Sequence, residues 1–221
     1  MAGVRYHRVL RFITAERNAG ASPWRSVLAP ADAHGDSVLA VGAVDAFGAL
    51  ASFSSLGPTA DGRIKPDLVA NGVGLYSPVT NDLYGSLTGT SAASPCISGS
   101  IGLLIQHYRN LTLGQDPWSS TIRALLFHTA DEAGPFPGPD YMFGWGLMNT
   151  KSAALTLTEQ ISKDTTVQEL VLQEGGQVKL NVGVDGTKPL KVTIAWTDPP
   201  GTPPAPALDP PTRMLVNDLD V

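Results

Sequence analysis

Apolar and polar positions alternate along this chain with two different periods, and the change from one to the other divides it. Val9 to Ala15 is an apolar-rich run that reads as a short strand, ending in a turn at Arg17-Asn18-Ala19-Gly20. Val38 to Val44 is an unbroken apolar run between Asp36 and Asp45, the pattern of a strand buried on both faces. Ala49 to Ser55 and Asp67 to Ala70 suggest two further short strands, separated by turn signals at Leu56-Gly57-Pro58 and Asp61-Gly62. Gly72 to Gly89 reads as a loop. Ile97, Ile101, Leu104 and Tyr108 then recur at helical spacing, with Pro95 suited to the first helical turn, where its missing N–H costs no bond. Ala92, Ala93, Ser98, Gly99, Ser100 and Gly102 leave little bulk around this helix, so neighbouring backbone is expected to approach it closely.

A second helix is expected from Thr121 to Ala130, capped by Ser119 or Ser120, with Ile122, Leu125, Leu126 and Thr129 on one side. Met148 to Ile161 reads as a third. From about Ser162 the period becomes two: Val178, Leu180, Val182 and Val184 alternate with polar or small residues, as do Leu190, Val192, Ile194 and Trp196. Asp185-Gly186 would turn between two antiparallel strands. Thr197 to Pro211 is a proline-dense loop, and Leu215 to Val221 begins another strand. Two or three strands do not close a sandwich. The expected organisation is therefore residues 1–161 as one α/β unit and 162–221 as the start of an incomplete β-sandwich.

Composition narrows the partners. The 221 residues are 43% hydrophobic and 16% charged, values of a globular chain with a core. A net charge of −5 and the lack of any lysine/arginine run give no basis for binding nucleic acid. No apolar stretch reaches membrane-spanning length, and Arg5, Arg8 and Arg11 are followed by no signal-peptide core. Cys96, the single cysteine, excludes an internal disulfide and reads as an inert thiol on the apolar helix. Asn110-Leu111-Thr112 fits a glycosylation acceptor pattern, which is more often an unused surface turn. The sequence does not fix an oligomeric state.

The chemistry concentrates at Gly89-Thr90-Ser91-Ala92-Ala93-Ser94-Pro95, where a serine stands at the start of a helix. Free N–H groups and the helix dipole favour negative charge there, as a serine-centred acyl transfer requires. Thr90 and Ser91 also suit plain capping of a core helix. A G-x-S-x-G elbow would need glycine at Ala93, so that hydrolase signature is not matched. Gly144-Trp145-Gly146 lacks the third glycine of a dinucleotide fingerprint.

The order G-T-S-A-A-S-P resembles the nucleophile motif G-T-S-x-A-x-P of subtilisin-like (S8-type) serine proteases. Phe53 to Thr59, Asp61 to Leu68 with its Lys65-Pro66-Asp67, and Gly144-Trp145-Gly146 are similar to segments flanking that motif in the family. Leu190 to Asp198 and Leu215 to Asp220 resemble the β-sandwich appended in some extracellular members. The resemblance implies a parallel sheet with flanking helices, here without its N-terminal strands, and a serine endopeptidase acting outside the cell on polypeptides. It makes Ser91 the nucleophile and Asn18 the oxyanion donor, with Gly89 and Thr90 beside the substrate. Glu16-Arg17 and Asn71 depart from the family's A-G-N and A-P-G. None of the four histidines, His7, His34, His107 and His128, stands in an H-G-T-H-V-A-G setting. The base and its aspartate are expected outside these residues, which makes the chain look like an inactive fragment; the alternative is a non-catalytic remnant retained for its sandwich. No cofactor is implied. Calcium is common in the family, and Asp209, Asp218 and Asp220 are either ligands for it or exposed solubilising carboxylates.

Overall fold

The computed structural model describes residues 13–15, 38–59 and 61–163, and beyond them 167–172, 175–179, 181, 190–198, 202, 205, 212, 215–217 and 219. Three parallel strands form its centre: β1 (Ile13–Ala15), β2 (Leu39–Val44) and β3 (Leu68–Asn71), in that spatial order. All six residues of β2 are buried, as an unbroken apolar run in the middle of a parallel sheet should be. Val41 pairs with Leu68 and Val44 with Asn71. Past β3 the sheet is extended by Leu147, which bridges Val69 in parallel and Asp131 in antiparallel fashion.

The expected strand at Ala49 to Ser55 does not form. Asp45 intercepts it: its carboxylate accepts the N–H groups of Phe47 and Ala49, both at 2.9 Å, and curls the chain into a tight reversal. Leu50 makes only an isolated bridge to Val44, and the Ser54 hydroxyl accepts the Ala43 N–H at 3.0 Å. Side chains thus take the amides that a ladder would use.

The expected loop from Gly72 to Gly89 contains an antiparallel hairpin, β4 (Leu75–Val79) and β5 (Leu83–Leu87). Asn81 and Asp82 turn it with φ of 62° and 56°, a region these two residue types tolerate. Pro78 is admissible because the hairpin is only two strands wide. Tyr76 and Tyr84 stack on it with ring centroids 5.7 Å apart.

Helix α1 (Thr90–Leu111) packs Ala93, Ile97, Ile101 and Leu104 into the main core with Val41, Ala43 and Leu68 from the sheet. It starts well before Pro95, which lies inside the helix rather than at its first position. Of its small residues, Ala92 and Ala93 are buried, with Gly72 close to Ala93, whereas among the described residues nothing stands within 4 Å of where a Cβ on Gly99 or Gly102 would sit. Helix α2 (Ser119–Thr129) buries Ile122, Leu125 and Leu126 as the spacing predicts, but neither Ser119 nor Ser120 caps it. The residue before its first turn is Trp118, which has no capping side chain. Helix α3 (Thr150–Lys163) is preceded by Asn149, whose side-chain oxygen accepts the Ser152 N–H at 2.8 Å, and it buries Ala153 and Leu157. Among the described residues after Lys163 none is in a strand; Leu180, Val182 and Val184 lie outside them.

Gly144-Trp145-Gly146 closes the unit against β3. Trp145 N–H donates to the Asp67 carbonyl and Val69 N–H to the Gly146 carbonyl, at 2.9 and 3.1 Å. Gly144 has φ of 63°, and a Cβ there would lie 2.1 Å from the Pro66 carbonyl oxygen. We expect Gly144→Ala to lower unfolding free energy by about 2–4 kcal/mol, from backbone strain and overlap together. Urea denaturation measures it. A loss under about 0.5 kcal/mol, the scale of an ordinary surface change, would contradict the close approach.

Candidate active site

Ser91 is the second residue of α1 and is exposed, whereas Thr90 beside it is 1% exposed. Gly89 precedes the helix with φ 154° and ψ 162°, a backbone region essentially reserved for glycine. The N-cap position is Gly89, not Thr90 or Ser91, and it makes no side-chain cap bond. The Gly89 carbonyl accepts the N–H groups of Ala92 and Ala93 at 2.9 and 3.3 Å. The Ser91 N–H, one turn from the end, has no intrahelical acceptor and points along the positive end of the dipole. Pro95 lacks the N–H that would otherwise bond the Ser91 carbonyl. Among the described residues no hydrogen bond engages the Ser91 hydroxyl. The serine is therefore presented outward at the helix start, with its own N–H unspent.

The turn that presents it is tied to the sheet by backbone alone. Gly72, directly after β3, donates its N–H to the Val44 carbonyl at 2.9 Å and accepts the Gly89 N–H at 2.8 Å. A Cβ on Gly72 would lie 2.8 Å from both the Gly89 oxygen and the Ala43 Cβ, and 3.1 Å from the Ala93 Cβ. Asn71, where the family pattern has proline, folds its side-chain oxygen onto the Val73 N–H at 3.1 Å. Cys96 lies against the same place, its thiol 3.8 Å from the Asn71 carbonyl and 3.4 Å from that of Ala92. Burial pushes that thiol above its usual range, in keeping with an inert role.

Just ahead of β3 lies a buried charge pair. Lys65 and Asp67 are both buried and meet at 2.5 Å. The same Asp67 oxygen accepts the Ala40 N–H at 2.7 Å, joining the start of β2 to the start of β3. Alternation in the Lys-Pro-Asp triplet was the available signal, since it points both charged side chains to one side. Nearer the surface, Asp61 takes a Thr59 hydroxyl at 2.5 Å and the Arg63 guanidinium at 2.7 Å. Burial alone would raise the Asp61 carboxyl, but these two partners outweigh it and hold it below the usual range.

The other expected site residues divide in two. Asn18, His7 and His34 lie outside the described residues, as do Asp209, Asp218 and Asp220; among the described residues no cluster of three or more metal-ligating side chains occurs. His107 sits on α1, sixteen residues past Ser91 and so roughly 24 Å along the helix axis. Its Nε2 is 2.9 Å from the Thr158 hydroxyl. His128, near the end of α2, is 3.0 Å from the Thr193 hydroxyl through Nδ1. Neither is hydrogen-bonded to Ser91.

Comparison with known proteins assigns the family. Residues 12–146 match the subtilase family, Peptidase S8, and the chain belongs to that family. It is 35% identical over 142 residues to subtilisin DY of Bacillus licheniformis, a match covering 64% of this chain and 46% of that protein. It is 34% identical over 133 residues to the C5a peptidase of Streptococcus pyogenes, covering 56% of this chain and 11% of that protein. A serine protease/ABC transporter B family protein, tagA, of Dictyostelium discoideum is 27% identical over 201 residues, covering 76% of this chain and 11% of the relative. The chain thus spans less than half the length of these curated relatives.

The buried pair makes a test of the scaffold. Lys65→Met strands the Asp67 carboxylate without its cation and should cost about 3–5 kcal/mol of stability. Lys65→Met/Asp67→Asn, which keeps an acceptor for the Ala40 N–H, should recover most of that. Denaturant titration of the two variants decides; equal losses in both would mean that the charge on Asp67 is irrelevant.

Proposed function

We propose that this chain carries the nucleophile and oxyanion site of a serine endopeptidase. The observation that carries the proposal is the outward-facing Ser91 hydroxyl on a helix start with its N–H unspent. In this reading Ser91 Oγ attacks the carbonyl carbon of a peptide bond while a histidine takes its proton. The carbonyl oxygen becomes an oxyanion held by the Ser91 N–H and the Asn18 side-chain amide, with Gly89 and Thr90 bordering the substrate. The tetrahedral state collapses to an acyl-serine as the protonated histidine gives its proton to the leaving amine, and water then releases the acid. That histidine and its orienting aspartate belong to residues beyond these 221. Family resemblance adds an extracellular setting, polypeptide substrates and a β-sandwich from about residue 162. No nucleic acid, membrane or cofactor enters the scheme, and among the described residues no helix is long and apolar enough to cross a membrane.

One observation favours a second reading, a non-catalytic remnant retained for its sandwich: His107 and His128 are both committed to threonines. Hydrolysis of casein and a chromogenic peptide separates the two. The 221-residue chain should show no turnover above its Ser91→Ala control. A polypeptide extended to include D-T-G and H-G-T-H segments should turn over substrate, and Ser91→Ala should abolish that. An inert extended polypeptide would favour the remnant; turnover by the 221 residues alone would place a base within them.

In the extended enzyme, Asn18→Leu should lower kcat by about two to three orders of magnitude and leave KM nearly alone, as loss of the oxyanion donor does in subtilisin itself. A kcat within about threefold of wild type would make Asn18 a turn residue and nothing more.

A further inference from the structure

Helix α2 has no side-chain cap bond from its own N-cap residue, yet each of its ends is held by one of two described stretches beyond α3, residues 167–172 and 190–198. At its start, Glu169 Oε1 accepts the Trp118 N–H at 2.8 Å and the Thr121 hydroxyl at 2.5 Å. Burial first, and then the nearby Glu169 charge, raise the Tyr108 phenol on α1, so this carboxylate lies against the helix layer. At the other end, Lys191 Nζ donates to the His128 carbonyl at 2.7 Å, and Thr193 Oγ1 meets His128 Nδ1 at 3.0 Å. An anion thus sits on the positive end of the α2 dipole and a cation on the negative end, each at a terminal backbone group that the helix leaves unpaired. Lys191 and Thr193 lie two residues apart in one stretch, in which the neighbouring Leu190, Val192 and Ile194 are exposed. Two polar side chains of this stretch, Lys191 and Thr193, make its hydrogen bonds to α2.

We propose that two described stretches, 167–172 with Glu169 and 190–198 with Lys191, act as a strap that grips α2 at its two ends, and that protonation of His128 loosens the grip. The inference does not depend on Ser91 being catalytic. Among the described residues Lys191, from the strap, is the charged group that faces His128, and Thr193 beside it is neutral. On α2, Arg123 reaches the Val38 carbonyl instead, at 3.4 Å; beyond the helix, both Asp131 carboxylate oxygens take the Asn149 amide at 2.9 Å. Burial, and then the Lys191 charge, hold His128 below its ordinary range. The strapped state therefore favours neutral imidazole. Its grip is complete above the ordinary histidine pKa of about 6.5 and weakens as pH falls through that value towards the lower strapped one. A loosened α2 would be felt at β3, because Phe127 stacks on Trp145 at 5.2 Å beside the Gly144-Trp145-Gly146 closure.

Hydrogen exchange read by mass spectrometry on the whole chain tests this, with rates corrected for the intrinsic pH dependence of exchange. Amides of α2 should exchange roughly fivefold faster at acid pH than at pH 7.5, the size of a lost cap, while those of β2 stay unchanged. Glu169→Ala and Lys191→Met should each show the fast α2 exchange already at pH 7.5, and His128→Gln should remove the pH response. Protection in β2 reports whether a variant folds; if Glu169→Ala does not, Lys191→Met decides alone. Normal α2 protection in the folded variants, or an undiminished pH response in His128→Gln, would overturn the strap.

Discussion

Everything at the serine depends on one contact between two backbones. Gly72 must lie close enough to Gly89 for the Gly89 N–H to reach its carbonyl, and any side chain at 72 would intrude on the Gly89 oxygen, Ala43 and Ala93 at once. That single approach links β2, the end of β3 and the first turn of α1. Ser91 is then placed by hydrogen bonds that contain no rotatable side chain, which is the kind of support a preorganised site needs. The glycines at both ends of the link serve different purposes: Gly72 for want of a Cβ, Gly89 for its backbone angles.

The sheet end that carries Gly72 is fixed from behind. Asp67 binds Lys65 and the Ala40 amide in the buried interior, and the Asp67 carbonyl receives the Trp145 N–H. Gly144 lets that closure come within contact of the Pro66 backbone. A charge pair of this kind is weak as net stabilisation but costly to break on one side only, so it specifies a position more than it adds free energy. The order of causes runs from the ion pair to the register of β2 against β3, from there to Gly72, and only then to the serine.

Much of this was legible in the sequence. The apolar run at Val38–Val44 and the helical spacing of Ile97, Ile101, Leu104 and of Ile122, Leu125, Leu126 gave the right elements, because burial on a continuous face leaves a long periodic trace. The G-T-S-A-A-S-P order located the helix start. Less legible were features decided by a single atom. Asp45 and Ser54 turned an apparent strand into a reversal through two side-chain acceptors. The hairpin after Gly72 carries a proline and only five residues per strand, too short for periodicity to distinguish from loop. The true cap of α2, Glu169, is fifty-one residues from Trp118 and leaves no local signature. Asn18 falls outside the described residues, so its place beside Ser91 still rests on resemblance.

The central claim is that Ser91, and no other serine, forms the covalent intermediate. Diisopropyl fluorophosphate applied to the extended polypeptide that bears the histidine and aspartate, followed by intact-mass and peptide mapping, reads this directly. One phosphoryl adduct per chain is expected, on the peptide containing Ser91, appearing in step with loss of hydrolysis. Adduct on a different serine, or hydrolysis persisting in fully labelled protein, would contradict it.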